Sequence, residues 1–328
     1  MSTESDSPFF IPQNIQIAAI SGNLNAVLVS TLLTGFYSVV YLGTMYLYIS
    51  RMPTSQGKIV ILSAISLLYA LCLVQQAIQW YYINLILIFN GDTRLDIFFA
   101  VLERGSVAVY AVFQFSFCFI FVVSDALLIW RCYHVWGKSF KIIILPLALI
   151  LGEMGLSLAV TLVPVVKPPT FTSSISSFKN LTSIQTLVSF GTTAICTFLI
   201  GLKIHKASHQ NFTGNGIRST KRLGHIIKII VESAAVYSLV TLVYAIQGII
   251  PFSPETIVES PLLVEGLYMQ VIIVAVAGLA PTVIAARIAL STPKSTFREP
   301  TTRISDMIFP NIQGTNSGGT AVITNIRC

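Results

Sequence analysis

The stretch VAVYAVFQFSFCFIFVVSDALLIW, Val107 to Trp130, contains a single charged side chain, Asp125. A helix rises 1.5 Å per residue, so the stretch reaches about 36 Å, enough to cross the roughly 30 Å hydrocarbon slab of a bilayer. It lacks the alternation of a strand, and in lipid a backbone must satisfy its own N–H and C=O groups, which leaves a helix. Six further apolar stretches flank it: Ala26 to Ile49, Ile59 to Ile83, Ile142 to Val163, Leu181 to Leu202, Ile226 to Ile250 and Leu262 to Ala286. The expected fold class is all-α, a polytopic membrane protein built as a seven-transmembrane-helix bundle.

Orientation follows from charge. Arg51 and Lys58 follow the first span, Arg131, Lys138 and Lys141 the third, Lys203, Lys206, Arg218, Lys221, Arg222 and Lys228 the fifth, and Arg287, Lys294, Arg298, Arg303 and Arg327 the seventh. Only Arg94, Arg104, Lys167 and Lys179 fall in the other gaps. The positive-inside bias then puts the N-terminus outside and the C-terminus in the cytoplasm. Residues 1–25 read as an extracellular segment, 26–287 as the seven-helix domain and 288–328 as a disordered cytoplasmic tail rich in Ser, Thr, Pro, Gly and Asn. Met1 to Pro8 has no basic n-region, so the first span is expected to act as the insertion signal. Asn180-Leu181-Thr182 is a glycosylation sequon in the outward fourth loop, whereas Asn211-Phe212-Thr213 lies in the inward fifth loop.

Composition excludes several functions. Hydrophobic residues make up 54% and charged residues 10%, so the chain is no soluble globule and its function lies in or at the membrane, with the plasma membrane as the expected location. The net charge of +7 follows from topology and attraction to anionic lipid, so the bilayer and not nucleic acid is the expected partner. Cys72, Cys118 and Cys196 lie in spans and Cys132 and Cys328 on the cytoplasmic side, which leaves no pair for an extracellular disulfide. His134, His205, His209 and His225 sit at the cytoplasmic edge without carboxylate or thiol companions, so no metal site is expected. The last span holds no Lys for a retinal Schiff base, and no activated nucleophile is apparent. The chain reads as no enzyme and as needing no cofactor.

The informative polar residues are those that hydrocarbon makes costly. Asp125, Glu153 and Glu232 each lie in a span, where an ionised, unpaired carboxylate costs roughly 2.5 to 3.5 kcal/mol at the centre of an inserted helix. All three are expected to face the bundle. Asp125 and Arg131 point about 120° apart on one helix, so each needs a partner elsewhere. The expectation is a polar lock in which Arg131, with or without Asp125, engages Glu232, while Lys228, one turn before Glu232, competes; a static network is the alternative. Glu153 is read as a buried carboxylate, protonated or ion-coupling. Toward the outside, Gln75, Gln79, Gln114, Tyr244, Gln247, Tyr268 and Gln270 supply amides and rings from four helices, with Gln76 and Trp80 beside them. That chemistry suits a small uncharged ligand, and the alternative is hydrogen bonding between helices with an interfacial aromatic belt. Gly278 and Pro281 serve either a kink or close packing in the last span.

Ser124-Asp125-Ala126-Leu127-Leu128-Ile129-Trp130-Arg131-Cys132-Tyr133, Glu232-Ser233-Ala234-Ala235-Val236-Tyr237 and Gly278-Leu279-Ala280-Pro281-Thr282 resemble a large family of uncharacterised seven-span proteins in basidiomycete fungi. The resemblance covers all seven spans and implies a fungal, receptor-like membrane protein. The architecture is also similar to G-protein-coupled receptors, although no Asp-Arg-Tyr ends the third span, no Asn-Pro-x-x-Tyr lies in the seventh, and no outer cysteine pair exists. The expected function is therefore a seven-helix receptor that senses a small, uncharged molecule, moves helix six and meets a cytoplasmic signalling protein. The alternative is a transporter or lipid-handling protein that uses its buried carboxylates for ion coupling.

Overall fold

A computed structural model describes residues 13–51, 56–89, 91–102, 106–166, 173–210, 235–248 and 262–291. Among the described residues 96% are helical and none lies in a strand. The helices in chain order are α1 Gln13–Arg51, α2 Gln56–Asn84, α3 Arg94–Leu102, α4 Val107–Val135, α5 Phe140–Val166, α6 Ser173–Gln210, α7 Ala235–Gly248 and α8 Leu262–Ser291. Six of them, α1, α2, α4, α5, α6 and α8, are long and apolar enough to cross a membrane. The protein is thus a multi-pass helical membrane protein. The stretch expected at Ile226 to Ile250 is described only over Ala235–Gly248, a shorter apolar helix, and 226–234 and 249–250 lie outside the described residues. Of the disordered tail expected over 288–328, residues 288–291 instead continue helix α8, and 292–328 lie outside the described residues.

Several helices overrun the boundaries read from hydropathy. Helix α1 starts at Gln13 rather than Ala26, and its first turns pack Ile15 and Ala19 against Phe98 of α3. Helix α3 was not expected. Thr93 caps it: its Oγ1 accepts from the Asp96 amide at 3.2 Å and donates to the Asp96 carboxylate at 2.6 Å, a variant of the capping box. Helix α2 ends in a π-helical turn, Leu85–Phe89. Helix α6 begins at Ser173, so the sequon at Asn180 falls within a helix instead of the expected loop.

Between α4 and α5 the chain reverses in four residues. The Gly137 amide donates to the His134 carbonyl at 3.2 Å and the Lys138 amide to the Tyr133 carbonyl at 3.0 Å, the paired bonds of a Schellman cap. Gly137 takes φ +63° there, a region open to glycine.

Helix α4 forms the centre of the bundle. Its most apolar segment and that of α8 are 50% buried, against 22% for α1 and α2. Helix α4 touches α2, α5, α6 and α8, and α1 lies along α8 and α2. Helix α7 packs in through Tyr237, Val240 and Tyr244. The outward faces are apolar, as Leu28, Leu32, Phe36, Val39, Leu42 and Tyr46 on α1 illustrate, which fits lipid as the solvent. Gly278 lets α8 approach α1 and α2: a Cβ there would lie 2.8 Å from Tyr37 Cε1 and 3.2 Å from Cys72 Sγ. Close packing is thus one role of Gly278.

Candidate functional site

The inner faces of α4, α5 and α6 carry polar residues at helical spacing: Gln114, Cys118 and Asp125 on α4, Glu153, Ser157 and Thr161 on α5, Gln185, Ser189 and Thr193 on α6. Steps of four or seven residues keep side chains on one helix face, so each set forms a stripe. All are buried, and they join into one seam. Gln114 Nε2 donates to Cys118 Sγ at 3.4 Å, and that thiol donates to Gln185 Oε1 at 3.1 Å. Gln185 Nε2 donates to Ser157 Oγ at 2.9 Å, whose hydroxyl donates to the Glu153 carbonyl at 2.8 Å. The two that cross between helices, Cys118 to Gln185 and Gln185 to Ser157, contribute about 0.6 kcal/mol each on average in apolar surroundings.

Asp125 ends the seam. Its two carboxylate oxygens accept from Ser189 Oγ at 2.6 Å and Thr193 Oγ1 at 2.8 Å, and it is 0% exposed. Glu153, on α5, is also 0% exposed. Its carboxyl group lies within hydrogen-bonding reach of the Asp125 carboxyl, and no donor among the described residues reaches either Glu153 oxygen.

Arg131 lies on the same helix but turns elsewhere. Its Nη2 donates to the Pro281 carbonyl of α8 at 3.0 Å, while its Nε finds no partner among the described residues. The hydroxyl of Tyr48, a buried neighbour, is also without one. Asp125, Arg131 and Tyr237 line one cavity of about 20 Å³ with Pro281 and Thr193, room for a water or two but not for an organic molecule. Glu232 and Lys228, the remaining members of the expected lock, lie outside the described residues.

The residues expected to line a ligand site are spread over several contacts. Gln75 Nε2 donates to the Phe113 carbonyl at 2.6 Å, and the side chain borders a cavity of about 10 Å³ between α1, α2 and α8. Gln114 belongs to the polar seam, and the Tyr244 ring sits 6.1 Å from that of Phe117 in the core. Tyr268 and Gln270 are half-buried on α8. Gln75 Oε1, Gln79 Oε1 and Gln247 Nε2 are buried without a partner among the described residues. The neighbouring Gln76 and Trp80 are committed to α1. Gln76 Oε1 accepts from Ser30 and Thr34, its Nε2 donates to Thr31 Oγ1 at 2.9 Å, and Trp80 Nε1 donates to the same oxygen at 3.2 Å.

The residues missed from sequence are the hydroxyls of α6 and Ser157. Their signal was the four-residue repeat Gln185, Ser189, Thr193 in the least apolar of the six spanning helices. No protein-family model, no curated protein and no solved structure matches the chain.

Proposed function

We propose that this chain is a seven-helix, receptor-like membrane protein with its N-terminus outside and its C-terminus in the cytoplasm, at the plasma membrane. Stretch 226–250 supplies the seventh crossing. The observation that carries the reading is Arg131: a buried guanidinium at the charged end of the central helix, held by one bond to a carbonyl of α8, with its Nε open. Such a cation is costly unless a carboxylate completes it. Glu232 lies in sequence just before Tyr237, which shares the cavity with Arg131. An Arg131–Glu232 bond would clamp α7 to α4, and movement of α7, helix six of the seven-span count, would break it. Lys228 is the alternative partner for Glu232.

At the other end, the unpartnered amides of Gln75, Gln79 and Gln247 support a small, uncharged ligand that supplies their missing hydrogen bonds. The remaining members of the binding set are Gln114, Tyr244, Tyr268 and Gln270. The basic segment Lys203 to His225, which begins on the last turns of α6, is the surface for a cytoplasmic signalling protein. The resemblance to the basidiomycete family agrees with this reading. A transporter is the second reading, favoured by the contact between Asp125 and Glu153, since paired acids at membrane depth suit ion coupling.

The test is a distance measurement between spin labels at the exposed positions Lys141 and Leu239 on α5 and α7, with Cys328 replaced. Arg131→Gln and Glu232→Gln are expected to lengthen or broaden the distribution to the same extent, and unchanged distributions in both reject the lock. A thermal-shift screen of small uncharged molecules tests the ligand, because binding stabilises the native state. A hit whose stabilisation survives Gln79→Ala and Gln247→Ala binds elsewhere.

A further inference from the structure

The contact between Asp125 and Glu153 joins two groups that, when ionised, only accept hydrogen bonds. A hydrogen bond between them requires a proton in the contact. Both residues are fully buried, and among the described residues the remaining titratable groups acting on the pair are Cys118 of α4, Cys196 of α6 and Tyr237 of α7. None of these supplies positive charge. Of the described residues lining the cavity at Asp125, Arg131 alone is cationic, and its bond goes to the Pro281 carbonyl. Among the described residues the bonds to the pair come from hydroxyls and not from a cation, so two ionised carboxylates would meet there without a counter-ion in an apolar medium.

The hydroxyls decide which acid stays ionised. Ser189 and Thr193 both donate to Asp125, one to each oxygen, and charge-assisted bonds of this kind favour the anion. Neither Glu153 oxygen receives any donor among the described residues. We propose that Asp125 and Glu153 form a proton-binding dyad whose ligand is one exchangeable proton, carried by Glu153 and hydrogen-bonded to the Asp125 carboxylate. The dyad ties α5 to α4, and through Ser189 and Thr193 it ties both to α6. Loss of the proton puts two like charges in contact and loosens α5 from the centre of the bundle. The site holds under either functional reading above.

The experiment is infrared spectroscopy of the full chain reconstituted in liposomes, reading the protonated-carboxyl C=O stretch in H2O and D2O. The expected result at neutral pH is a band that moves in D2O and disappears in Glu153→Gln but persists, shifted, in Asp125→Asn. Ser189→Ala, which keeps both acids and deletes one donor to Asp125, is expected to shift the wild-type band, so the dyad is testable even if Glu153→Gln does not fold. Absence of the band in the wild-type protein overturns the proposal, as does a band that survives Glu153→Gln. Loss of the band on adding sodium but not choline also overturns it, because the occupant is then a metal cation.

Discussion

At the scale of single residues, a polar side chain in this bundle is worth what its partner is worth. Thr192 and Thr193 are adjacent on α6, both fully buried, yet they do different things. Thr193 donates to the Asp125 carboxylate at 2.8 Å, whereas Thr192 bonds back to the Val188 carbonyl of its own helix at 3.0 Å. That carbonyl already accepts within the helix, so the Thr192 bond adds little. Thr193→Val is therefore expected to cost about 1–2 kcal/mol and Thr192→Val less than about 0.5 kcal/mol, read as thermal unfolding of the detergent-solubilised protein. Equal losses would mean that shape, not the bond to Asp125, matters there. Asp125 and Glu153 were legible in the sequence as acids in hydrocarbon. Their mutual contact was not, because it depends on the rotation of two helices about their own axes.

Among elements, close approach requires small residues, and α8 supplies one where α1 and α2 converge. A methyl group at Gly278 would press on the Tyr37 ring and on Cys72, and Tyr37 is held by packing edge-on against Tyr69 at 5.5 Å and by a 3.4 Å hydrogen bond to Thr282. The ring has little freedom to yield. Gly278→Ala is expected to destabilise by about 1–3 kcal/mol, while Gly155→Ala on α5, where a Cβ meets nothing within 4 Å, should leave the unfolding temperature unchanged. Similar shifts for both would refute the packing role. Hydropathy located the spanning helices because membrane depth acts on every residue of a long segment alike. It missed α3 and the first turns of α1, where Asn14, Asn23 and Asn25 dilute the apolar signal and where α3 contributes the covering surface. Thr93 and Asp96 were the readable trace of α3.

For the molecule as a whole, the charge asymmetry is the basis of the proposed topology with tails on opposite sides. In intact cells, an epitope after Cys328 is expected to resist added protease and one before Met1 to be cleaved, and cleavage of both would mean an even number of crossings. The sequence by itself determined that the protein is helical and lives in a bilayer, because those properties come from each residue's balance against hydrocarbon and from the backbone's need to bond to itself. It also determined which acids and which arginine would be costly there. Only the tertiary structure decided that Asp125 turns to Ser189, Thr193 and Glu153 while Arg131 turns to Pro281. Helices that are apolar on nearly every face carry little angular preference of their own, so neighbours and rotations are chosen by packing and by the hydrogen bonds that buried polar groups must find.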